Sequence, residues 1–94
     1  MQTVKVPGQY NKHKVLLYAI STCGWCKRAK NFLKDNYVEF EYVDLDLCSW
    51  EDKNKIRQDI QSRGGRLAYP TIIIDNKILL TGASPDKLRE VLEI

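Results

Sequence analysis

Two cysteines three positions apart, Cys23 and Cys26, are the residues whose type and spacing best suit chemistry in this sequence. They lie in "AISTCGWCKRAK", where an apolar run gives way to a charged one. On a helix that begins near Cys23, both sulfurs share one face and can form a disulfide with little backbone movement. The spacing therefore predicts a reversible dithiol–disulfide pair.

The two thiols have different predicted roles. Cys23 at a helix N-terminus gains from unpaired N–H groups and the positive end of the helix dipole, and Lys27 and Arg28 add positive charge, so its thiolate is the predicted nucleophile. Cys26, nearer the core, is expected to keep a higher pKa and to attack the mixed disulfide that Cys23 forms with a target. The products are a reduced target and a Cys23–Cys26 disulfide.

Two other interpretations of the pair compete with the redox one. A closed zinc site needs four ligands, and only Cys48 and His13 remain to complete it, at unhelpful spacing. Alternatively, the pair is simply buried, since cysteine often acts as a small hydrophobic residue. Cys48 is interpreted as inert packing, with a third redox centre as its alternative, and His13 as a surface residue without a partner.

Composition narrows the classes of function. The 94 residues suit one small domain, and the net charge of +3 comes from 15 basic residues dispersed among 12 acidic ones, which disfavours nucleic acid as a partner. The polar N-terminal stretch and the short apolar runs predict neither a signal peptide nor a membrane span, so the expected location is the cytoplasm. Three cysteines is an odd count for a secreted disulfide scaffold.

The hydrophobic pattern of the first half predicts a βαβ unit around the cysteines. The continuous apolar run from Val15 to Ile20 suits a buried central strand, and the alternation that begins the stretch from Val38 to Asp46 predicts a second, parallel strand. Between them, Thr22 is the predicted cap of a helix that ends at Asp35 and Asn36.

The second half predicts a helix, a hairpin and a closing helix. Ser49 opens a capping box in "SWED", with Trp50 as an anchor onto the sheet. The stretch from Thr71 to Thr81 is an antiparallel hairpin, and Ser84 with Pro85 begins the last helix. The order is βαβ, helix, ββα, with a central four-stranded mixed sheet, and the N-terminal "TVKVPG" is either an edge strand or disordered.

In its order of elements and its motifs, the chain resembles the thioredoxin fold and, within it, the glutaredoxin family. The motifs are "CGWC" at the first helix, "YPT" (69–71) before the hairpin and "TGASPD" (81–86) before the last helix. The resemblance implies that Pro70 is cis and faces the cysteines, and that the backbone of Tyr69 pairs with an extended substrate. It divides the chain into a lead segment, 1–13, and a glutaredoxin-like domain, 14–94.

Three departures concern the electron donor. Glutathione-using members usually have C-P-Y-C, a lysine where this chain has Ile20, and a different turn before the last helix. The turn here, with Gly82, Pro85 and Asp86, is similar to that of redoxins recharged by thioredoxin reductase. The resemblance thus favours thioredoxin reductase, with the glutathione system as the alternative and no bound cofactor.

The resulting hypothesis is a small, monomeric dithiol oxidoreductase that reduces protein disulfides. Cys23 and Cys26 are the predicted catalytic residues, and the predicted substrate-binding residues are Trp25, Tyr69, Pro70, Gly82 and Ala83. For Trp25, packing against its own helix is the alternative. Two other functions stay open, namely an iron–sulfur carrier holding a [2Fe–2S] cluster between two chains and a binding domain with a vestigial pair.

Overall fold

A central five-stranded mixed sheet with helices on both faces forms the protein, as seen in a computed structural model that describes residues 2–82 and 84–94. The strands, in the spatial order β1-β3-β2-β4-β5, are β1 (Val4–Val6), β2 (Val15–Ala19), β3 (Phe40–Asp44), β4 (Thr71–Ile74) and β5 (Ile78–Thr81). The helices are α1 (Gly24–Asp35), α2 (Trp50–Ser62) and α3 (Pro85–Leu92), and a 3₁₀ turn covers Leu45–Leu47. None of the helices in these described ranges is long and apolar enough to span a membrane.

The central strand β2 is buried on both faces, as its continuous apolar run predicts. It pairs in parallel with β3 and antiparallel with β4. Because side chains alternate along a strand, Leu17 packs on one face with Leu33 of α1 and Leu88 of α3. Tyr18 lies on the opposite face in the cluster that contains Ile56 of α2. Helices α1 and α3 therefore cover one face of the sheet, and α2 covers the other.

The predicted thioredoxin-type class is correct, but the predicted count of four strands is wrong. β1 pairs antiparallel with β3, with Val4 opposite Tyr42 and Val6 opposite Phe40. Of the two alternatives for the N-terminal stretch, the edge strand is therefore confirmed. Three residues are too few for a period of two to be visible in sequence, which is why the strand could not be predicted with certainty. The boundary between residues 13 and 14 stays a prediction.

Local capping chemistry explains most element ends. Ser49 and Ser84 cap α2 and α3, accepting hydrogen bonds from the N–H groups of Asp52 and Lys87, as predicted. Pro85 occupies the start of α3.

The hairpin turn is also as predicted. Asp75 and Asn76 have φ of 55° and 57°, a left-handed geometry that these residue types tolerate.

Two predicted placements are wrong. Trp50 does not anchor α2 on the sheet, because its side chain is 67% exposed and Ile56 and Ile60 make the buried contacts of that helix. His13 is not without a partner, because its Nδ1 lies 2.6 Å from Asp75 Oδ2 at the hairpin turn. A contact across 62 residues of sequence cannot be recognised from spacing.

Candidate functional site

The two cysteines lie at one end of the sheet, where the connections that follow β2, β3 and β5 and the connection that precedes β4 come together. The parallel strands β2 and β3 end there, and the antiparallel register places the start of β4 and the end of β5 beside them. We call this region, which lies at the strand ends and not along an edge strand, the dithiol edge. We define it by Cys23, Trp25, Trp50, Tyr69 and Gly82. In sheets with parallel strands, the carboxyl end is where functional loops gather.

Cys23 caps helix α1, so the predicted cap, Thr22, is wrong by one residue. The Cys23 Sγ accepts a hydrogen bond from the N–H of Cys26 at 3.3 Å, as a serine oxygen would at this position. The Cys23 side chain is partly exposed, whereas Cys26 is 0% exposed, and both thiols are free. A target disulfide can therefore reach Cys23 but not Cys26.

Opposite shifts in pKa separate the two thiols. A hydrogen bond from the Cys26 thiol, assisted by the N–H groups of Cys26 and Trp25, lowers the pKa of Cys23 below its ordinary value of 9.0, although partial burial opposes this. Burial, followed by that same hydrogen bond to Cys23, raises the pKa of Cys26 to about 12. The reactive thiolate thus forms on the accessible sulfur.

The predicted electrostatic help from Lys27 and Arg28 is not seen, because neither side chain contributes to the shift at Cys23. Arg28 instead places its guanidinium 4.7 Å from the centre of the Trp25 ring. The N-terminal N–H groups, which were also predicted, do contribute.

These shifts predict a strong pH dependence of alkylation. Between neutral pH and pH 8.5, Cys23 should be alkylated first, and below its pKa its rate should fall about tenfold per pH unit because the thiolate fraction falls by that factor. Cys26 should stay unmodified. Iodoacetamide labelling followed by peptide mass spectrometry, in a Cys48→Ser background, measures both rates. Cys26→Ala should raise the pKa of Cys23, and equal labelling of the two cysteines in the parent would contradict the assignment.

The structure brings together the predicted substrate-binding residues that it describes. The Tyr69–Pro70 peptide bond is cis, as the resemblance implies, and Pro70 is buried. Gly82 donates its N–H to the carbonyl of Pro70 at 2.8 Å and has φ of 59°, a geometry that favours glycine. Trp25 is 68% exposed, and its ring contacts Arg28 one turn along its own helix, so both its substrate-binding role and the alternative of packing on that helix stay predictions. Ala83 lies outside the described residues, and the binding roles stay predictions.

A carboxylate missed by sequence reasoning fastens the loop that carries Cys23. Asp46, in the 3₁₀ turn after β3, accepts hydrogen bonds from the backbone N–H of Ser21 at 2.9 Å and from the Ser21 hydroxyl. These bonds, led by that from the hydroxyl, lower the pKa of Asp46. Only the parallel pairing of β2 and β3 brings these two loops together, so no local motif could have revealed the contact.

The residues named for the zinc alternative are not assembled. His13 is bonded at the hairpin turn of Asp75, at the edge of the sheet opposite Cys23. Cys48 follows the 3₁₀ turn, and its Sγ donates to the carbonyl of Leu45 at 3.2 Å. Within residues 2–82 and 84–94, no three His, Cys, Asp or Glu side chains are grouped to hold a metal ion.

Comparison with known proteins shows similarity over most of the chain. A glutaredoxin sequence profile matches residues 15–79. A glutaredoxin-like 8.6 kDa protein of the Clostridium pasteurianum rubredoxin operon is 33% identical over 78 residues, covering 81% of this chain and 97% of that protein. Glutaredoxin 1 of Rickettsia felis is 31% identical over 64 residues, which cover 68% of this chain and 60% of the rickettsial protein, less than two thirds of its length.

Solved structures show the same similarity in three dimensions. The glutaredoxin of Methanosarcina mazei Go1 superposes with a TM-score of 0.88 at 29% identity, over 100% of this chain and 90% of its own. Methanoredoxin of Methanosarcina acetivorans gives 0.85 at 32% identity, over 93% and 90% of the two chains. Because a glutaredoxin profile matches residues 15–79 and a glutaredoxin-like protein is 33% identical over 81% of the chain, this chain belongs to the glutaredoxin family.

Proposed function

We propose that this protein is a small dithiol–disulfide oxidoreductase that reduces disulfides in other proteins. The Cys23 thiolate attacks one sulfur of the target disulfide, forms a mixed disulfide and expels the other target sulfur, which takes up a proton. Cys26 then loses its proton and attacks the Cys23 sulfur, forming the Cys23–Cys26 disulfide and releasing the second target thiol. Two electrons pass from the protein to the target.

The inequality of the two thiols carries this proposal. Cys23 is accessible and has a lowered pKa, while Cys26 is buried, has a raised pKa and lies one turn further along α1. A nucleophile must meet the target first, and a resolving thiol must wait until the mixed disulfide exists. A structural pair would need no such difference.

We further propose that a thioredoxin reductase, rather than glutathione, reduces the Cys23–Cys26 disulfide back to the dithiol. We also propose that the protein acts as a monomer. One support is that Ile20 stands where glutathione-using members usually have a lysine, and its apolar side chain cannot pair with a carboxylate of glutathione. The turn with Gly82 and Pro85 resembles that of redoxins recharged by such a reductase. Glutathione as co-substrate is the alternative, and cytoplasmic location stays an expectation.

The test is NADPH oxidation while the purified protein reduces insulin disulfides. One assay contains thioredoxin reductase, and a second contains glutathione with its own reductase. We expect turnover in the first assay and loss of essentially all of it in Cys23→Ser, which removes the nucleophile but leaves a capping oxygen.

The outcomes separate the parts of the proposal. Turnover only with glutathione would keep the oxidoreductase but overturn the choice of donor. No turnover with either donor, or full turnover in Cys23→Ser, would overturn the proposed function. A brown dimer after anaerobic purification would point instead to the iron–sulfur carrier.

A further inference from the structure

Each of two exposed tryptophans at the dithiol edge has an arginine guanidinium over its ring. Trp25 is 68% exposed and Trp50 is 67% exposed. The guanidinium carbon of Arg28 lies 4.7 Å from the Trp25 ring centre, and that of Arg57 lies 5.9 Å from the Trp50 ring centre. Such cation–π contact holds the guanidinium in place while its N–H groups remain free to donate.

The two pairs belong to helices on opposite faces of the sheet. Arg28 and Trp25 belong to α1, which covers one face of the sheet, and Arg57 and Trp50 belong to α2 on the opposite face. Cys23 lies beyond the end of the central strand, and its side chain packs against the cluster on the α1 and α3 face. A chain segment that crosses the dithiol edge from one face to the other would therefore meet both pairs.

The second pair also borders the predicted substrate strand. The positive charge of Arg57 acts on the Tyr69 phenol, although burial, the larger effect, leaves the pKa of Tyr69 raised. Tyr69 immediately precedes the cis proline, where the resemblance places substrate backbone. Arg57 is thus close to Tyr69, where the resemblance places the substrate backbone.

Neither arginine is neutralised within the protein. Among residues 2–82 and 84–94, no carboxylate lies within 4.0 Å of Arg28 or Arg57. Several acidic side chains at this edge make other contacts: Asp46 binds Ser21 and Asp44 pairs with Lys30. Glu51, Asp52 and Asp86 lie in the first turns of α2 and α3, where a negative charge favours the helix.

Other basic side chains near the strand ends are paired inside the molecule, including two at the opposite edge of the sheet. There Lys12 pairs with Glu93, and His13 pairs with Asp75. At the dithiol edge, Lys30 is paired with Asp44, the last residue of β3, whereas in the described part of the chain the two arginines on the tryptophan rings are not paired with a carboxylate. An unmatched guanidinium fixed on a ring is a favourable site for a carboxylate, because both its charge and its planar N–H groups fit one.

We propose that the dithiol edge selects disulfides whose flanking residues are acidic, through the Arg28–Trp25 and Arg57–Trp50 pairs. This rests on the proposed function and names its substrate class: an extended protein segment with Asp or Glu on both sides of the target cysteine. The tryptophans supply apolar contact, and the arginines supply charge preference. Exposed ion pairs of this kind contribute modestly each, so the preference is a matter of rate and not of all-or-none binding.

The experiment compares three synthetic peptide disulfides that differ only in flanking residues: Glu on both sides, Gln on both sides, or Lys on both sides. We expect kcat/KM to fall in that order, with the Glu peptide preferred over the Lys peptide on the order of tenfold at low salt. In 0.5 M NaCl the preference should shrink because exposed charges are screened. The difference should appear in KM, since the sulfur chemistry is unchanged.

Matched variants decide where the preference comes from. The double variant Arg28→Gln with Arg57→Gln should lose most of the preference, measured as the ratio of kcat/KM for the Glu peptide to kcat/KM for the Lys peptide. The control, Lys34→Gln with Lys77→Gln, removes the same charge from exposed residues away from the dithiol edge and should keep the preference.

Two results would overturn the inference. They are equal kcat/KM for the three peptides, and a preference that survives in the arginine double variant. Failure of the proposed function looks different, because then none of the peptides, including the uncharged Gln peptide, would be reduced.

Discussion

A Cys26→Ser variant is expected to stop halfway through the exchange and to accumulate mixed disulfides between Cys23 and its targets. Serine replaces a side chain that is 0% exposed with one of similar shape, so helix α1 should persist. The variant keeps the accessible nucleophile but lacks the sulfur that would displace the target. Turnover with a thioredoxin reductase should fall at least about 100-fold, because the two cysteines act as a unit.

The trapped species can be measured directly. Non-reducing gels and intact mass spectrometry, after incubation with an oxidised target and no glutathione, should show an adduct that dithiothreitol removes. Excluding glutathione matters because a small thiol could resolve the adduct in place of Cys26. The parent protein should show little adduct, and Cys23→Ser should show none.

Cys48 has to be removed for this result to be unambiguous. Its side chain is partly exposed and lies at the same edge of the sheet, after the turn that follows β3. In a Cys48→Ser background, an adduct on the Cys26→Ser protein can form only through Cys23. Near-parental turnover of that double variant would mean that the buried thiol is not the resolving group.

The parts of this site that sequence predicted are those set by neighbours along the chain. A cysteine pair at the start of a helix fixes which sulfur is outside, because one turn of helix separates the cap from a position on the buried face. Ser49 and Ser84 could be predicted as helix caps for the same reason, since a cap bonds to N–H groups two or three residues away.

The parts that sequence missed depend on contacts between distant segments. Asp46 meets Ser21 only because β2 and β3 pair in parallel, and His13 meets Asp75 only because the chain returns through the hairpin. Trp50 was expected to anchor the start of α2 on the sheet, but its side chain is 67% exposed. Apolar character alone does not show on which side of a helix a neighbour lies.

Gly8→Ala is expected to destabilise the protein by about 2–3 kcal/mol, a large share of the 5–15 kcal/mol typical of a small domain. A Cβ at this position would lie 2.5 Å from the N of Glu39 and the O of Tyr37, and 2.6 Å from the carbonyl carbon of Val38. These are backbone atoms, so no side-chain rotation can relieve the overlap. Urea unfolding, followed by tryptophan fluorescence or circular dichroism, measures the change.

Hydrogen bonds hold Gly8 against this backbone. The N–H of Tyr10 donates to the carbonyl of Tyr37, and the N–H of Glu39 donates to the carbonyl of Tyr10, both at 2.9 Å. To admit a methyl group, the segment must move away from residues 37–39, which strains these bonds and the pairing of β1 with β3. The N-terminal segment is in this respect part of the folded sheet.

Gly24→Ala is the matched control, because a Cβ there meets nothing within 4 Å. It should leave the free energy of unfolding unchanged or raise it by up to about 1 kcal/mol, since alanine restricts the unfolded chain. If Gly8→Ala is as stable as Gly24→Ala, β1 does not contribute to the cooperative fold. If it is destabilised yet retains parental activity under conditions where it is folded, the edge strand stabilises β3 without tuning the dithiol, as expected from a contact on the far side of β3 from Cys23.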